Sequence, residues 1–581
     1  MSSSDTGVDL LLLWHMHQPD YRDRSTGEFT MPWVYLHALK DYSDMAWHLE
    51  QHPAMRVVVN FVPVLLDQLE DYEDQFTRGT LRDPLLRLLV QPDDAPLSEA
   101  ERRHILDQCF RANHTRLIAP FAPYKRLHDI FTTLEAQGAN SLLYLADRYY
   151  LDLVTWYHLS WTGETVRRSS ERLGRLMAQG ERYSLQDRRA LLAIIAREVQ
   201  QVVPRYRALA QRGQIELSTT PHCHPLAPLM LDFASARDAL PDIALPASTH
   251  YPDGRARVDF HIDSALASHT RRFGSAPRGV WPAEGALSAA FAGQLAQRSI
   301  GWTASSEGVL GNSLHASRDR AGANAEQAAG AAPSLHQPYQ LQGLEPPLVF
   351  FFRDDRLSDL IGFSYSKWHG RDAALHFVHE IETIGQRAQG QARPLVCVML
   401  DGENAWEYYP YNGYFFLSDL YQGLSTNPHI RLRTGADVVD DLAGGTRRAG
   451  LLPVLAAGSW VYGNFATWIG AADKNTAWDL LCAAKQCYDE VLTGGTLDRA
   501  RQEQAAAQLA DCEASDWFWW PGEDNPGTSV SAFETLFRSK LGNLYHLLGR
   551  PVPDTLRHAF SRGAQGEGSA EIGGTMRRGV A

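Results

Sequence analysis

Cysteine is scarce: six in 581 residues, at 109, 223, 397, 482, 487 and 512. None forms a CxxC pair, and Cys482 and Cys487 sit five apart on an expected helix, a poor disulfide geometry. This usage excludes a disulfide-stapled scaffold and fits reduced thiols in a cytoplasmic protein. Long hydrophobic runs are also missing. The longest, residues 8–14, is broken by Asp9 and falls far short of the ~20 residues that span a bilayer. The start, MSSSDTGVD, has no basic n-region of a secretory signal. No membrane association is expected. Positive charge is in deficit: 55 Lys+Arg face 68 Asp+Glu, a net charge of −13. Without a basic run to neutralise phosphates, nucleic acid is not an expected partner.

Aromatics, by contrast, are plentiful. The chain holds 15 Trp and 22 Tyr, many beside His, Asp and Glu. Most aromatics build core, but sugar rings also stack on exposed Trp and Tyr faces. With 44% apolar residues over this length, more than one structural unit is expected.

Seven short β-type runs stand at 8–14, 56–61, 214–218, 279–281, 300–304, 348–352 and 395–400, separated by helical patterns such as 38–50, 99–112 and 188–211. Strand–helix–strand order implies parallel pairing with right-handed crossovers, an α/β sheet or barrel. The residues just beyond the strand ends favour a barrel: His15-Met-His17, His222-Cys-His224, Trp281-Pro-Ala-Glu284, Arg353-Asp-Asp and Asp401-Gly-Glu403. In a barrel such C-terminal strand ends converge on one face. Residues 311–332, rich in Ala, Gly and Ser, read as a flexible insertion, and 478–492, 497–514 and 532–548 as helices. The expected division is a catalytic barrel over 1–435 with an insertion at about 311–335, a helical C-terminal domain over 436–561 and a disordered tail over 562–581.

Glu284 and Asp401 qualify as an acid/base or nucleophile pair. Retaining glycoside hydrolysis needs one ionised and one protonated carboxyl roughly 5–5.5 Å apart. Glu403 competes with Asp401, since residues two apart on an extended segment face the same side; spacing alone does not separate them. His15 and His17 suit contacts to sugar hydroxyls, but HxH is also metal-ligand spacing, and His222-Cys-His224 repeats it. A zinc-dependent mannosidase or polysaccharide deacetylase, or a non-catalytic glycan-binding relative, are the alternative readings.

Five ordered segments carry a resemblance: His15-Met-His-Gln-Pro; Ile215-Glu-Leu with His224-Pro-Leu-Ala-Pro-Leu; Trp281-Pro-Ala-Glu284; Asp401-Gly-Glu-Asn-Ala-Trp-Glu; and WVYGNFATWIGAADKNTAW over 460–478. Together they resemble the five sequence regions of glycoside hydrolase family 57, with the fourth closest to the α-amylase-like subgroup. The resemblance implies an incomplete (β/α)7 TIM-like barrel with a helical C-terminal region, and retaining chemistry on α-glucans without metal or other cofactor. It implies Glu284 as nucleophile and Asp401 as general acid/base. His15, His17 and His224 would line the reacting subsite. Arg353, Trp281 and Trp406 would join them, with Trp460 and Asp516 from the C-terminal region. Trp460 is expected to be a stacking platform over the barrel mouth.

Overall fold

The structure, a computed structural model, describes residues 7–321, 334–388 and 392–564. Among the described residues ten strands form one sheet: β1 (Val8–Met16), β2 (Val57–Phe61), β3 (Ile215–Thr219), β4 (Gly279–Val280), β5 (Trp302–Ser306), β6 (Tyr339–Leu341), β7 (Val349–Arg353), β8 (Leu395–Asp401), β9 (Ile430–Arg433) and β10 (Gly450–Leu452). The seven runs expected as strands pair in parallel in the order β7-β5-β4-β3-β2-β1-β8. β9 adds to the start of β1, while β6 pairs antiparallel with β7 and carries β10. These three strands leave no pattern in the sequence because three or four residues are too few to display a period.

Side chains alternate across each strand. Leu11 and Leu13 of β1 point into the barrel with Val58, Ala304, Phe351 and Met399, whereas Leu10, Leu12 and Trp14 face the surrounding helices. Both faces are buried, so β1, β7 and β8 read as near-continuous apolar runs, while β3 and β5 mix in Ser and Thr. The barrel stays open between β7 and β8. Among the described residues that seam is crossed by the Asp354 N–H donating to Cys397 O (2.8 Å) and by Arg353 Nη1 donating to Met399 O (3.1 Å). The fold is thus an incomplete (β/α)7 barrel.

Strands and helical stretches alternate as expected, with the longest helical interval between β2 and β3. There the chain inserts a helical layer from Pro63–Arg78 to Leu185–Gln211. The region expected as a flexible insertion begins as a helix, Glu307–Ala321. Val309, Leu310 and Ser313, spaced for one helical face, are buried against the barrel. Residues 322–333, the rest of that region, lie outside the described residues. In the expected tail, residues 562–564 are held: the Ala564 N–H donates to Asn525 O (2.9 Å) and the Gly527 N–H to Ala564 O (3.2 Å). Residues 565–581 lie outside the described residues. All six cysteines are free thiols. Among the described residues no helix is long and apolar enough to cross a membrane.

The C-terminal helices Ala472–Thr493, Arg499–Cys512 and Gly527–Leu547 share one apolar core with the barrel's outer layer. They dock on its C-terminal face through bridges Pro225–Ala514 and Leu287–Gly458. A charge cluster reinforces the docking: Arg24, itself exposed, donates from Nη2 to the buried Asp511 Oδ1 (3.0 Å), and the buried Lys540 Nζ donates to Asp20 Oδ1 (3.3 Å). This docking carries residues 513–520 to the ends of the barrel strands.

Candidate active site

Glu284 owes its position to local backbone chemistry. β4 is two residues long and ends at Trp281-Pro282, where proline withholds a ladder donor. Glu284 then adopts a left-handed conformation, φ 57°, as does His224, φ 62°. Such backbones are disfavoured for residues with a Cβ and concentrate at functional sites. At Gly285, φ 55°, an added Cβ would stand 2.9 Å from Trp460 Cβ, so glycine is required there. The turn directs Glu284 into a cleft of about 310 Å³ at the barrel mouth, which Asp401 also lines from the end of β8.

Two donors hold Glu284. The Ser515 hydroxyl donates to Oε1 (2.9 Å) and the Trp460 indole N–H to Oε2 (3.1 Å). Ser515 also contacts His224 Nδ1 (2.8 Å); His224 Nε2 meets His15 Nε2 (3.1 Å), and His15 Nδ1 meets Asn60 Oδ1 (2.7 Å). Strand register sets the last contact, because His15 lies beside both Asn60 of β2 and Asp401 of β8. His17 is joined to Asp516 through Nε2 (3.0 Å).

Burial dominates the electrostatics. It raises Glu284 to about 8, with Asp516 and Asp401 adding to the rise while the Ser515 and Trp460 donors oppose it. Burial raises Asp401 to about 6 against the Asn404 hydrogen bond and the charges of His17 and Arg353. Burial and the neighbouring His17 hold His15 down at about 3, and burial, His17 and His15 hold His224 well below its ordinary value. Both rings are therefore neutral hydrogen-bonding groups near pH 7.

Asp401 and Glu403, equivalent by spacing, differ in environment. Asp401 is half-buried, opens on the cleft and accepts from Asn404 Nδ2 (2.6 Å). Glu403 is buried and accepts the His17 N–H (3.0 Å) and Gln18 Nε2 (3.3 Å), so it braces the β1 end. Burial, with Asp401 beside it, pushes its carboxyl well above the usual range.

The structure brings His15, His17, His224, Glu284, Arg353, Asp401, Trp460 and Asp516 onto the cleft. It does not bring Trp281 or Trp406. Trp281 is fully buried in the barrel interior, an aromatic floor beneath Trp460 (ring centroids 5.2 Å apart). Trp406 is buried against Trp14 and donates to Gly402 O (2.8 Å), bracing the turn after Asp401. Large apolar rings at strand ends went to packing, which sequence spacing does not distinguish from display. His222 also leaves the site, engaged by Asp67 (2.8 Å) and Ser264 (2.7 Å). Arg353 reaches the cleft, but its hydrogen bonds go to Asp355 (2.6 Å), Asp359 (2.9 Å) and Met399 O (3.1 Å), and its guanidinium covers the Trp460 ring at 5.3 Å.

Trp460 differs from the expected platform. It is half-buried, and its indole N–H is spent on Glu284. Sequence reasoning also missed Ser515 and Asn60. Asn60 left a signal, a polar residue in the strand Val-Val-Val-Asn-Phe; Ser515 left none.

His17, His224 and Asp516 offer donor atoms within 4.8 Å of one another, a spacing that invites a metal. The two rings, however, stack with centroids 3.8 Å apart and planes 20° apart. Imidazole lone pairs lie in the ring plane, so stacked rings aim them side by side rather than at one point. The arrangement suits a hydrogen-bonding wall better than a coordination sphere.

Replacing Trp460 by Phe tests the donor role. An N–H donated to the ionised carboxylate lowers its pKa, so its loss should raise Glu284 above about 8. The alkaline limb of kcat/KM should then move up by about one pH unit. A limb that stays put or moves down would show that Trp460 does not serve Glu284.

An open parallel barrel with buried carboxyls and histidines at its C-terminal face defines a barrel enzyme built for acid/base chemistry. The chain belongs to glycosyl hydrolase family 57, whose sequence profile matches residues 11–447. Among curated proteins, none matches by sequence. Among solved structures, the chain is similar to a family 57 branching enzyme from Thermococcus kodakaraensis in complex with glucose (13% identity, TM-score 0.56, covering 93% of this chain and 90% of that one). It is similar too to a branching enzyme of this type from Pyrococcus horikoshii (14%, 0.54, 98% and 99%) and to the α-amylase AmyC from Thermotoga maritima (13%, 0.53, 95% and 96%). At these identities the likeness shows a shared fold.

Proposed function

We propose that this protein is a retaining glycosidase or transglycosylase acting on α-glucans, with Glu284 as nucleophile and Asp401 as general acid/base. The observation that carries the reading is the pair itself. Two carboxyls raised by burial, from separate strand ends, line one cleft, and Glu284 is held by two donors. The branching-enzyme and amylase activities of the structural relatives support the α-glucan class.

In the first step a Glu284 oxygen attacks the anomeric carbon, the glycosidic C–O bond breaks, and the Asp401 proton passes to the leaving oxygen. In the second, Asp401 takes a proton from water or a sugar hydroxyl, whose oxygen displaces Glu284 from the ester. The productive free enzyme has Glu284 ionised and Asp401 protonated, which, with Glu284 near 8 and Asp401 near 6, is the minor of the two singly protonated forms. The two titrate as a pair, so kcat/KM should be bell-shaped with limbs near 6 and 8.

Azide rescue tests the roles. With an α-glucosyl fluoride, whose leaving group needs no proton, Glu284→Ala plus azide should yield the β-glycosyl azide, because the anion enters the space left by the nucleophile. Asp401→Ala should yield the α-azide, since the covalent intermediate still forms. The reverse pattern would exchange the two roles.

A further inference from the structure

We propose that Tyr462, two residues after Trp460, is the platform on which an α-glucan chain stacks outside the reacting subsite. The inference rests on the glycoside-active reading above and deepens it. Trp460 cannot fill this role freely, since its indole N–H is committed to Glu284 and Arg353 lies over its ring. Tyr462 lines the same cleft, yet is 71% exposed, so a broad aromatic surface stands at the mouth rather than in the floor. Across the mouth's lining, Phe363 adds a second exposed ring, 40% accessible.

The backbone indicates that this display is built in. Tyr462 has φ 58°, a left-handed conformation that a bulky side chain adopts only when its surroundings enforce it. The enforcement is visible. Gly463 packs so closely on Gly308 that a Cβ there would stand 2.7 Å from the Gly308 carbonyl carbon. Asn312 Nδ2 donates to Gly463 O (3.0 Å), Asn464 Nδ2 to Tyr462 O (3.1 Å), and the Ser306 hydroxyl to Ser459 O (3.1 Å). At its other end the same turn is tied to the nucleophile, since the Trp460 N–H donates to Glu284 O (3.1 Å). One rigid turn therefore sets the offset between Glu284 and an exposed aromatic ring. A ring at fixed offset from the reacting carbon reads chain length, because only substrates long enough to reach it gain the contact.

Such a contact holds ground state and transition state alike, so it acts on KM rather than kcat. The test is a chain-length series of maltooligosaccharides with Tyr462→Gly and Tyr462→Phe. Glycine removes the ring and accepts φ 58° without strain. Its melting temperature should equal or exceed that of the wild type. KM for long chains should rise roughly 10-fold, with kcat, and all parameters for the shortest substrate, unchanged. Tyr462→Phe, which keeps the ring, should behave as wild type. A uniform effect across chain lengths, no change in KM, or a phenylalanine variant as impaired as glycine would overturn the platform alone. A wild-type protein inactive on every chain would overturn the proposed function and the platform with it.

Discussion

Glu284→Gln should lower turnover of an α-glucan by roughly 10³-fold or more, and Asp401→Asn should cost a comparable factor on natural substrates. Both substitutions keep shape and size, so the effect isolates chemistry. Glutamine at 284 keeps one oxygen to accept from Ser515 or Trp460, whose present bonds go to separate carboxylate oxygens at 2.9 and 3.1 Å, and presents an NH2 donor in place of the other, so it offers no anionic oxygen to the anomeric carbon. Asparagine at 401 keeps a polar group beside Asn404 and carries no transferable proton. The two variants part on activated substrates. With a fluoride leaving group Asp401→Asn should recover its first step, while Glu284→Gln should not. Glu403→Gln should cost far less, because Glu403, although it borders the cleft, is buried and already occupied by the His17 N–H and Gln18. Near-wild-type turnover by either of the first two variants, measured by product chromatography, would reject the assigned pair.

Glu513→Ala should lower stability by about 3–5 kcal/mol, the cost of leaving a buried charge without its partner. Glu513 is fully buried and accepts from Arg257 Nε (2.8 Å) and Nη2 (2.6 Å) and from the Tyr251 hydroxyl (2.5 Å), and it meets His261 Nε2 (2.7 Å). Against its burial, Arg257 and His261 hold its carboxyl well below the usual range. Its contribution is therefore fully present above the unfolded carboxylate pKa and is lost as pH falls through the lower folded value. His261 acts in the same direction. Burial lowers its pKa, so the unfolded chain binds its proton first as the solution is acidified. Urea denaturation of wild type and variant at pH 7, and again in acid, should show the gap between them narrowing as pH falls. A gap below about 1 kcal/mol at pH 7 would mean that the cluster does not hold the C-terminal segment to the barrel. Glu513 lies two residues before Ser515, so the variant should also lose activity in proportion to the disturbance of the Ser515–Glu284 bond.

Local patterns in the chain were enough to expect the barrel and to single out Glu284 with Asp401 or Glu403, while the choice of Asp401 came from the family resemblance. Strands covered on both faces favour apolar runs, and that pattern is local: Val-Val-Val-Asn-Phe of β2 and Leu-Val-Cys-Val-Met-Leu-Asp of β8 declare themselves within their own residues. Parallel pairing then forces every strand's C-terminal end to one face, so His15, Glu284 and Asp401 could be brought together without coordinates. Which neighbouring side chains serve them was settled by tertiary packing. Trp281 and Trp406 sit in the same motifs as the two acids but are drawn into core by the area they bury, whereas Tyr462, next to the Gly463–Gly308 contact, stays exposed. Ser515 reaches Glu284 only because Ala514 bridges Pro225 and the C-terminal helices dock on the barrel. Contacts between residues 231 positions apart leave no periodicity in a single sequence, since they are set by docking rather than by the local chain.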